Sequence, residues 1–401
     1  MSMITLPKEV SFILEELNRH HHEAFIVGGC VRDRLMGKTP YDFDITTDAL
    51  PQQIKSIFKK NYDTGLQHGT VTVCVDHTNF EVTTYRIDGV YTDGRRPDSV
   101  SFTKRIEEDL SRRDFTMNAI AYHPTEGFVD FFEGQEDIER KVIRAVGVAQ
   151  KRFQEDALRM LRAIRFAVQL GFDIDSDTWL ALKEKAHLIK QISSERIYAE
   201  FSKILLSEDI QKVSLLWESG LLPLIVEGSD VYMAQYAEEI MHSLLKCKAS
   251  GSLRLALFMQ NSSLETVEKI LKKLKVDNKT RREVGLFVDN LFREFPSDAY
   301  ALRKALSKLG AETFQNILYL KQCVGISIAD TEEALNRILQ QSDCIHRREM
   351  NINGEDLKQL GIVDGKEIGW FLQQLFEQVL HDPKKNSREA LLCEAKRLLL
   401  K

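Results

Sequence analysis

The pattern of apolar residues changes at about residue 137, and this change divides the chain into two structural parts. Before it, period-two alternation in segments 70–75 and 80–86, joined by the turn-like residues 76–79, predicts an antiparallel hairpin. After it, apolar residues recur at helical spacing, interrupted by Gly, Asn, Ser or Pro. The sequence therefore predicts an α+β chain, with a small head built on a mixed or mostly antiparallel sheet and an all-helical remainder.

Three shorter segments of the head can be placed by the same criteria. Residues 6–19 have helical apolar spacing, and residues 30–36 are typical of a short helix that stops at Gly37. Between them, residues 24–27 form an apolar run that ends at Gly28-Gly29. This order predicts a strand that passes into a helix through a glycine pair.

The composition excludes several classes of protein. Of the 401 residues, 43% are hydrophobic and 21 are Phe, which excludes a mainly disordered chain. No run of eighteen apolar residues occurs and no secretory signal precedes the head, so we expect a cytoplasmic protein without membrane segments. The six cysteines are widely separated, which favours a reduced compartment over a disulfide framework or zinc site. The net charge of −5 does not exclude a nucleic-acid partner, because the basic residues are clustered.

Two aspartates separated by one residue follow the glycine-containing helix. In an extended strand, Asp42 and Asp44 project from the same face while Phe43 points into the core. Adjacent carboxylates are costly unless a cation lies between them, and Mg²⁺ is the natural partner because it prefers oxygen ligands. Glu81, in the second strand of the predicted hairpin, could supply a third carboxylate. The alternative is an exposed strand end that carries solvated acids.

The glycine pair allows the backbone to approach a phosphate closely at the strand-to-helix junction. Arg32 lies one turn into the predicted helix, within reach of an anionic oxygen. A glycine pair alone usually marks only a tight turn. Followed about a dozen residues later by Asp42 and Asp44, it indicates chemistry on a nucleoside triphosphate with magnesium.

Several motifs together resemble those of a known enzyme family. Gly28-Gly29-x-Val31-Arg32-Asp33, followed by Asp42-Phe43-Asp44, resembles the head motif of the polymerase-β-like nucleotidyltransferases. Four later segments resemble the class II tRNA nucleotidyltransferases, or CCA-adding enzymes, and their poly(A) polymerase relatives: residues 112–119, 134–138, 155–159 and 193–197. The resemblance covers nearly the whole chain, and ordered motifs are far more specific than any single one.

This resemblance implies a polymerase-β-like head and four domains: the catalytic head at 1–138, a neck for base recognition at 139–206, a body at 207–335 and a tRNA-binding tail at 336–401. It implies template-independent addition and repair of the 3′-terminal CCA of tRNA from CTP and ATP, with release of pyrophosphate. The tRNA would be held by its acceptor and TΨC arm. The alternatives are an A-adding enzyme and a poly(A) polymerase. Segment 86–97 resembles the flexible loop of the family, which argues against an enzyme that adds only CC.

The resemblance also implies roles for single residues. Asp42 and Asp44 correspond to the aspartates that hold two magnesium ions, and Glu81 to a carboxylate that orients or deprotonates the RNA 3′-hydroxyl. Gly29, Arg32 and Arg113 correspond to positions that contact the nucleotide. Without the resemblance, Arg113 and its neighbours would be interpreted as a solvated run of charges.

Segment 155–166 is predicted as one helix, with Asp156 and Arg159 adjacent on one face and Arg162 and Arg165 continuing the row. A carboxylate that accepts from an amino group, beside a guanidinium that donates to a ring nitrogen, suits cytosine and adenine but not guanine or uracil. All four residues are therefore candidates for nucleotide binding, with Asp156 and Arg159 as a protein template for CTP and ATP. The alternative is an amphipathic helix with a salt-bridged surface.

Basic residues cluster in two parts of the helical remainder, at 269–282 and at 347–388. We expect these clusters to contact tRNA phosphates, because duplex RNA is recognised by its backbone and shape. The alternative is an ordinary solvated surface.

Overall fold

The computed structural model describes residues 4–89, 99–295 and 298–400. Its strands lie in the first half of the chain. They are β1 (Ala24–Val27), β2 (Asp44–Thr47), β3 (Asn61–Gly65), β4 (Thr70–Val75), β5 (Thr78–Thr84), β6 (Arg86–Asp88), β7 (Val100–Phe102), β8 (Ala121–His123), β9 (Gly127–Val129), β10 (Val142–Ile143) and β11 (Asp173–Ile174). The predicted loop 86–97 thus begins as β6, whereas residues 90–98 lie outside the described residues.

Seven strands form one sheet in the order β3-β4-β5-β2-β1-β8-β9. Strands β2 and β5 are parallel to each other, and every other pair of neighbouring strands in this sheet is antiparallel. The predicted α+β class and mixed sheet are therefore confirmed. The predicted hairpin is β4–β5, with a two-residue turn at Asp76-His77 instead of the four-residue turn expected. Both turn residues have positive φ, 46° and 65°, which matches the twist of the two strands.

The sheet is buried where hydrophobic strand residues meet the covering helices. Ile26, Ile45, Val71 and Val82 are each at most 1% exposed. The first helix, α1 (Lys8–Arg19), buries one apolar stripe, consisting of Val10, Ile13, Leu14 and Leu17. This spacing is the amphipathic pattern that predicted the helix from the sequence.

Helices dominate the rest of the chain. After α1 they are α2 (Gly29–Leu35), α3 (Pro51–Ile57), α4 (Ile106–Ser111), α5 (Gly134–Arg140), α6 (Ala149–Glu155), α7 (Leu158–Leu170), α8 (Ser176–Lys185), α9 (Ser194–Leu205), α10 (Leu215–Glu218), α11 (Leu222–Ile225), α12 (Ser229–Lys246), α13 (Gly251–Phe258), α14 (Leu264–Lys273), α15 (Asn278–Leu291), α16 (Ala299–Leu309), α17 (Ala311–Cys323), α18 (Ala329–Gln340), α19 (Gly354–Lys358), α20 (Gly365–His381) and α21 (Arg388–Leu399). None of the helices in the described ranges combines the length and apolar character needed to cross a membrane.

The continuous helix predicted over 155–166 is wrong. Helix α6 ends at Glu155, and α7 begins only at Leu158. Between them Asp156 has extended backbone angles, with φ −143° and ψ 102°. The Asp156 carboxylate accepts a hydrogen bond from the Leu158 backbone N–H at 3.1 Å, so this residue begins a new helix instead of continuing the old one.

The chain forms two compact units, Met1–Ala237 with Lys273–Val276, and Glu238–Lys272 with Asp277–Lys401. The first unit contains the sheet. The second has separate cores on α16–α18, around Leu306 and Phe314, and on α19–α21, around Leu375 and Leu391. The finer division into head, neck, body and tail stays a prediction.

We predict that Gly134→Ala destabilises the first unit. A Cβ at this position would lie 2.2 Å from the Thr116 carbonyl oxygen and 2.8 Å from Ile120 Cγ1, so backbone atoms would have to shift. The expected cost is about 1–3 kcal/mol, measured by denaturant unfolding. Gly285→Ala is the matched control, because a Cβ there meets no atom within 4 Å and Ala favours the interior of α15 by about 1 kcal/mol. Equal stability of the two variants would contradict the prediction.

Candidate active site

Three carboxylates converge at one end of the sheet. Asp44 is the first residue of β2, and its register partner in β1 is Val27, directly before the glycine pair. In the parallel pair Ile45 lies opposite Val82, which places Glu81 beside Asp44. Asp42 precedes the strand, so the predicted strand position is correct for Asp44 and wrong for Asp42. Phe43 also precedes the strand, and it is half-buried on the wall of a cavity instead of in the core.

The electrostatics of Asp44 reflect this convergence. Although its side chain opens toward solvent, protein atoms surround much of it, and this desolvation raises its pKa. The guanidinium of Arg113 opposes the shift, whereas the charges of Asp42 and Glu81 add to it. The net result is a raised pKa, because the loss of hydration, with the smaller contributions of the two neighbouring carboxylates, outweighs the attraction of Arg113.

The carboxylates suit a cation that brings other ligands with it. Within the described ranges, no group of three or more His, Cys, Asp or Glu side chains is arranged to hold a metal ion. A magnesium site typically uses one or two carboxylates and completes its shell with water and substrate phosphates. Asp42 and Asp44 fit that donor set. A cation would offset the desolvation that raises the pKa of Asp44 and the smaller repulsion from Asp42 and Glu81.

The glycine pair lies against two arginines. Gly28 has φ +81°, a conformation that favours glycine, and a Cβ there would lie 3.1 Å from Arg113 Nη1. Arg32, in α2, donates from Nη1 to the Asn118 side-chain oxygen at 2.8 Å. Asn118 in turn donates to Asp114 at 3.1 Å, so the position of Arg32 is fixed by a chain of buried polar groups.

An arginine-rich cavity of about 560 Å³ joins these elements. We call it the arginine cavity. It brings together nearly all the predicted site residues, namely Gly29, Arg32, Asp42, Asp44, Arg113, Asp156, Arg159, Arg162 and Arg165. The predicted residue outside its wall is Glu81, which lines an adjoining cavity of about 890 Å³ that shares Asp42 and Asp44. The adjoining space is called the sheet cavity below.

Buried acids hold the arginines in place. Asp109, fully buried in α4, accepts hydrogen bonds from Arg112 at 2.7 and 3.1 Å and from Arg113 at 3.3 Å. Burial alone would raise the pKa of Asp109, but the two guanidinium groups outweigh it and lower the pKa. Asp114 accepts from Arg162 at 2.5 and 2.8 Å. Burial again opposes ionisation, and Arg162 with Asn118 lowers the pKa of Asp114 to about 2.

The four residues predicted as one row on a helix have separate partners. Asp156 accepts from Arg196 at 2.7 and 3.3 Å, and Arg159 donates to Glu155 at 2.6 Å. Arg159 also donates to the backbone oxygen of Arg112 at 2.9 Å. The prediction that one helix carries all four residues is therefore wrong, because Asp156 has extended backbone angles and lies before α7. Both side chains nevertheless line the arginine cavity.

Arg165 is held by Glu200 at 2.5 Å, and its guanidinium lies 4.0 Å from the ring centroid of Phe166. Sequence reasoning missed several wall residues, which are Arg112, Asp114, Asn118, Phe166 and Arg196. Arg112, Asp114 and Asn118 fall in the recognised segment 112–119, and Arg196 in 193–197, so the motifs contained the signal. No sequence signal indicates that Phe166 belongs to the site, since an aromatic residue on a helix more often belongs to the core.

We predict a pH-dependent contribution of Asp114 to stability. Its folded pKa of about 2 lies below the ordinary value of 3.8, so the stabilisation is complete above pH 4 and is lost as pH falls through the folded pKa. The difference in unfolding free energy between wild type and Asp114→Asn should therefore shrink by about 2 kcal/mol from about pH 5 to about pH 2. Urea titrations across that range measure it. Asp177→Asn, an exposed change on α8, is the control, and a difference that is constant with pH would contradict the prediction.

Models of known families match three parts of the chain. Residues 24–144 match the poly(A) polymerase head domain, residues 171–233 the RNA- and SrmB-binding site of polymerase A, and residues 249–395 domain 2 of tRNA nucleotidyltransferases. The first match contains the glycine pair and the three carboxylates of the site.

Whole-length relatives give the same result. The chain is 37% identical to the CCA-adding enzyme of Lactococcus lactis subsp. lactis, with all of both chains covered. It is 35% identical to that of Enterococcus faecalis, covering 99% of this chain and 98% of the relative. Among solved structures, the Bacillus stearothermophilus CCA-adding enzyme in complex with CTP is similar, at 32% identity and a TM-score of 0.83, with 98% and 99% coverage. The chain belongs to the family of CCA-adding enzymes.

Proposed function

We propose that this chain adds and repairs the 3′-terminal CCA of tRNA without a nucleic-acid template, using CTP and ATP and releasing pyrophosphate. The observation that carries the proposal is the position of Asp42 and Asp44 between two cavities, one lined by arginines and the other containing Glu81. Such an arrangement accommodates a triphosphate on one side and an attacking hydroxyl on the other. Family membership and the relative solved with CTP support the same substrates.

The residues that would hold magnesium are Asp42 and Asp44. When bound there, the metal supplies charge neutralisation for the attacking and leaving oxygens of an in-line displacement. Glu81 orients the 3′-hydroxyl of the RNA and accepts its proton. The hydroxyl oxygen then forms a bond to the α-phosphorus, and the bond from that phosphorus to the bridging oxygen of pyrophosphate breaks. Little covalent help is needed, so positioning and electrostatics dominate.

The triphosphate would occupy the arginine cavity next to Gly29. Arg32 and Arg113 are the nearest candidates for its oxygens, because one lies in the helix that follows the glycine pair and the other against Gly28. A guanidinium can form two parallel hydrogen bonds to a phosphate. Asp109 holds Arg113, and Asp33 with Asn118 holds Arg32, so both side chains are oriented before an anion binds.

Asp156 and Arg159 would select the base. Arg162 and Arg165 lie beside them on the wall of the arginine cavity. Arg196 fixes the Asp156 carboxylate and Glu155 fixes Arg159, so both groups are oriented before a base enters. A carboxylate has about four acceptor positions, which leaves capacity for the amino group of cytosine or adenine. Guanine and uracil present the opposite pattern, and a buried polar site rejects such mismatches because its groups stay unpaired.

The helical part of the chain after residue 206 would bind the tRNA. Lys384 and Lys385 are exposed, as phosphate contacts require, whereas Arg281 and Arg388 are engaged with Glu268 and Asp356. We propose the division at 1–138, 139–206, 207–335 and 336–401 as head, neck, body and tail, with the tail on the tRNA. A cytoplasmic location follows from the proposed substrate.

The proposal is tested by incubating the protein with magnesium, CTP, ATP and tRNA transcripts that lack CCA, CA or A. Completion of all three transcripts is the expected result. Addition only to the transcript that ends in CC would indicate an A-adding enzyme, and long A tails a poly(A) polymerase. No incorporation in any lane would overturn the proposal.

We predict that Asp42→Ala abolishes incorporation while tRNA binding is retained. The loss should be at least about a thousandfold, because catalysis of phosphoryl transfer depends on charge neutralisation. Gel-based extension measures the rate and filter binding measures the affinity for tRNA. Asp177→Ala, an exposed aspartate away from both cavities, is the control. Incorporation by Asp42→Ala at the control's rate would exclude the assigned role.

We predict that Asp156→Ala and Arg159→Ala relax base selection, so that UTP or GTP is incorporated. Each change removes one of the two contacts that exclude the wrong base, and each contact is expected to contribute a factor of roughly ten to a hundred. Competition between the four nucleotides on a tRNA that ends before CCA measures the ratio. Arg140→Ala, a surface arginine paired with Glu136, is the control for Arg159. Unchanged exclusion of UTP and GTP would refute the role in templating.

A further inference from the structure

The sheet cavity has a different chemistry from the arginine cavity, although both end at Asp42 and Asp44. Among the described residues that line it, none is Arg or Lys. Apart from Pro7, its wall consists of acids, hydroxyl and amide side chains, and aromatic rings. A triphosphate, with its charges close together, is therefore attracted to the arginine cavity and not to the sheet cavity.

In-line displacement fixes the direction from which the nucleophile comes. The attacking and leaving oxygens lie on opposite sides of the phosphorus. Since the arginines draw the leaving pyrophosphate to one side of Asp42 and Asp44, the attacking hydroxyl must arrive on the other. That side is the sheet cavity, where Glu81 lies.

A row of side chains crosses the sheet from Glu81 to the open edge. Glu81 lies opposite Thr72 in the β4–β5 pair, and Thr72 lies opposite Tyr62 in the β3–β4 pair. With strands about 4.8 Å apart, Tyr62 is about 10 Å from Glu81 on the same face. Next to it, Thr64 and Thr72 share a hydrogen bond of 2.7 Å between their hydroxyl groups, which stiffens this part of the wall.

Two tyrosines of this cavity are exposed without an evident structural reason. Tyr62 is 56% exposed on the edge strand, and Tyr41, directly before Asp42, is fully exposed. Both line the sheet cavity, together with the half-buried Phe43. Proteins that bind single-stranded nucleic acid present aromatic side chains on which successive bases stack.

Positive charge for the RNA backbone lies next to this wall. Lys8, Lys59 and Lys60 line a groove of about 580 Å³ that shares Glu9 with the sheet cavity. All three are exposed, and none forms an ion pair with another residue of the described ranges. The bases of an RNA could stack on the tyrosines while its phosphates lie near the lysines. This arrangement would match the aromatic and anionic parts of a nucleotide.

We propose that Tyr62, assisted by Tyr41, is a stacking platform for the last bases of the single-stranded 3′ end of the acceptor RNA. The platform directs the terminal 3′-hydroxyl toward Glu81. This inference rests on the proposed function, because it names the site of the RNA substrate in that reaction. Tyr62 is a positioning residue, since it acts on the base and not on the reacting atoms.

The test compares Tyr62→Ala and Tyr62→Phe on tRNA that ends in CC, with ATP as the nucleotide. Stacking depends on the ring, so Tyr62→Ala should raise the KM for tRNA about five- to a hundredfold, while Tyr62→Phe should stay near wild type. The KM for ATP should not change, because that ligand lies in the arginine cavity. Phe131→Ala removes an aromatic residue of similar exposure, 50%, that lines neither cavity, and serves as the control.

A fluorescent base provides a second readout. A tRNA with 2-aminopurine as its terminal base should lose fluorescence on binding to wild type, because stacking on an aromatic ring quenches it. Tyr62→Ala should bind the same tRNA, at saturating concentration, with less quenching. Thermal denaturation of each variant confirms that the fold is intact.

The outcomes separate this inference from the proposed function. If wild type extends no tRNA, the proposed function fails. If wild type extends tRNA but Tyr62→Ala has an unchanged KM and unchanged quenching, the platform is overturned and the function stands. Loss of activity in both Tyr62→Ala and Tyr62→Phe would also overturn the platform, since it would assign the effect to the hydroxyl. A rise in the KM for tRNA in Phe131→Ala equal to that in Tyr62→Ala would also overturn the platform.

Discussion

The arrangement of the site depends on ion pairs in which a buried aspartate holds an arginine. Asp109 holds Arg112 and Arg113, and Asp114 holds Arg162. Guanidinium groups lining one small cavity repel one another, and burial removes the water that would screen them. The aspartates make this concentration of positive charge tolerable. For Arg162, Nε and Nη2 are the atoms that bind Asp114.

The same pairs connect elements that are distant in sequence. Arg162 belongs to α7 and Asp114 to the head, 48 residues earlier, and Asn118 links Asp114 to Arg32 in α2. A change at Asp114 is therefore expected to affect Arg32, next to the glycine pair, and α7, which carries Arg159. In such networks the loss of one partner costs more than a single hydrogen bond, because a buried charge is left uncompensated.

Local sequence signals predicted the main elements of the head, and the family motifs predicted most of the site residues, but neither predicted which partners hold those residues. The strand at 24–27, the helix that follows the glycine pair and the hairpin after residue 70 are each specified by periodicity and turn residues. The break at Asp156 was missed, because the three-residue spacing of Arg159, Arg162 and Arg165 is the same whether or not the helix extends backward. The partners Arg196 and Glu200 are 35 to 40 residues away along the chain, and periodicity contains no information on such pairs.

A net charge of −5 is compatible with polyanionic substrates because charge is separated within the site. The arginine cavity has three more arginines than aspartates on its wall, whereas the sheet cavity has acids without basic residues. A triphosphate is thus attracted to one side of Asp42 and Asp44 and excluded from the other. An RNA end, with exposed bases that stack without regard to charge, can enter where the triphosphate cannot. The lack of basic residues in the sheet cavity keeps the triphosphate in the arginine cavity. The reaction takes place at Asp42 and Asp44, which line both cavities.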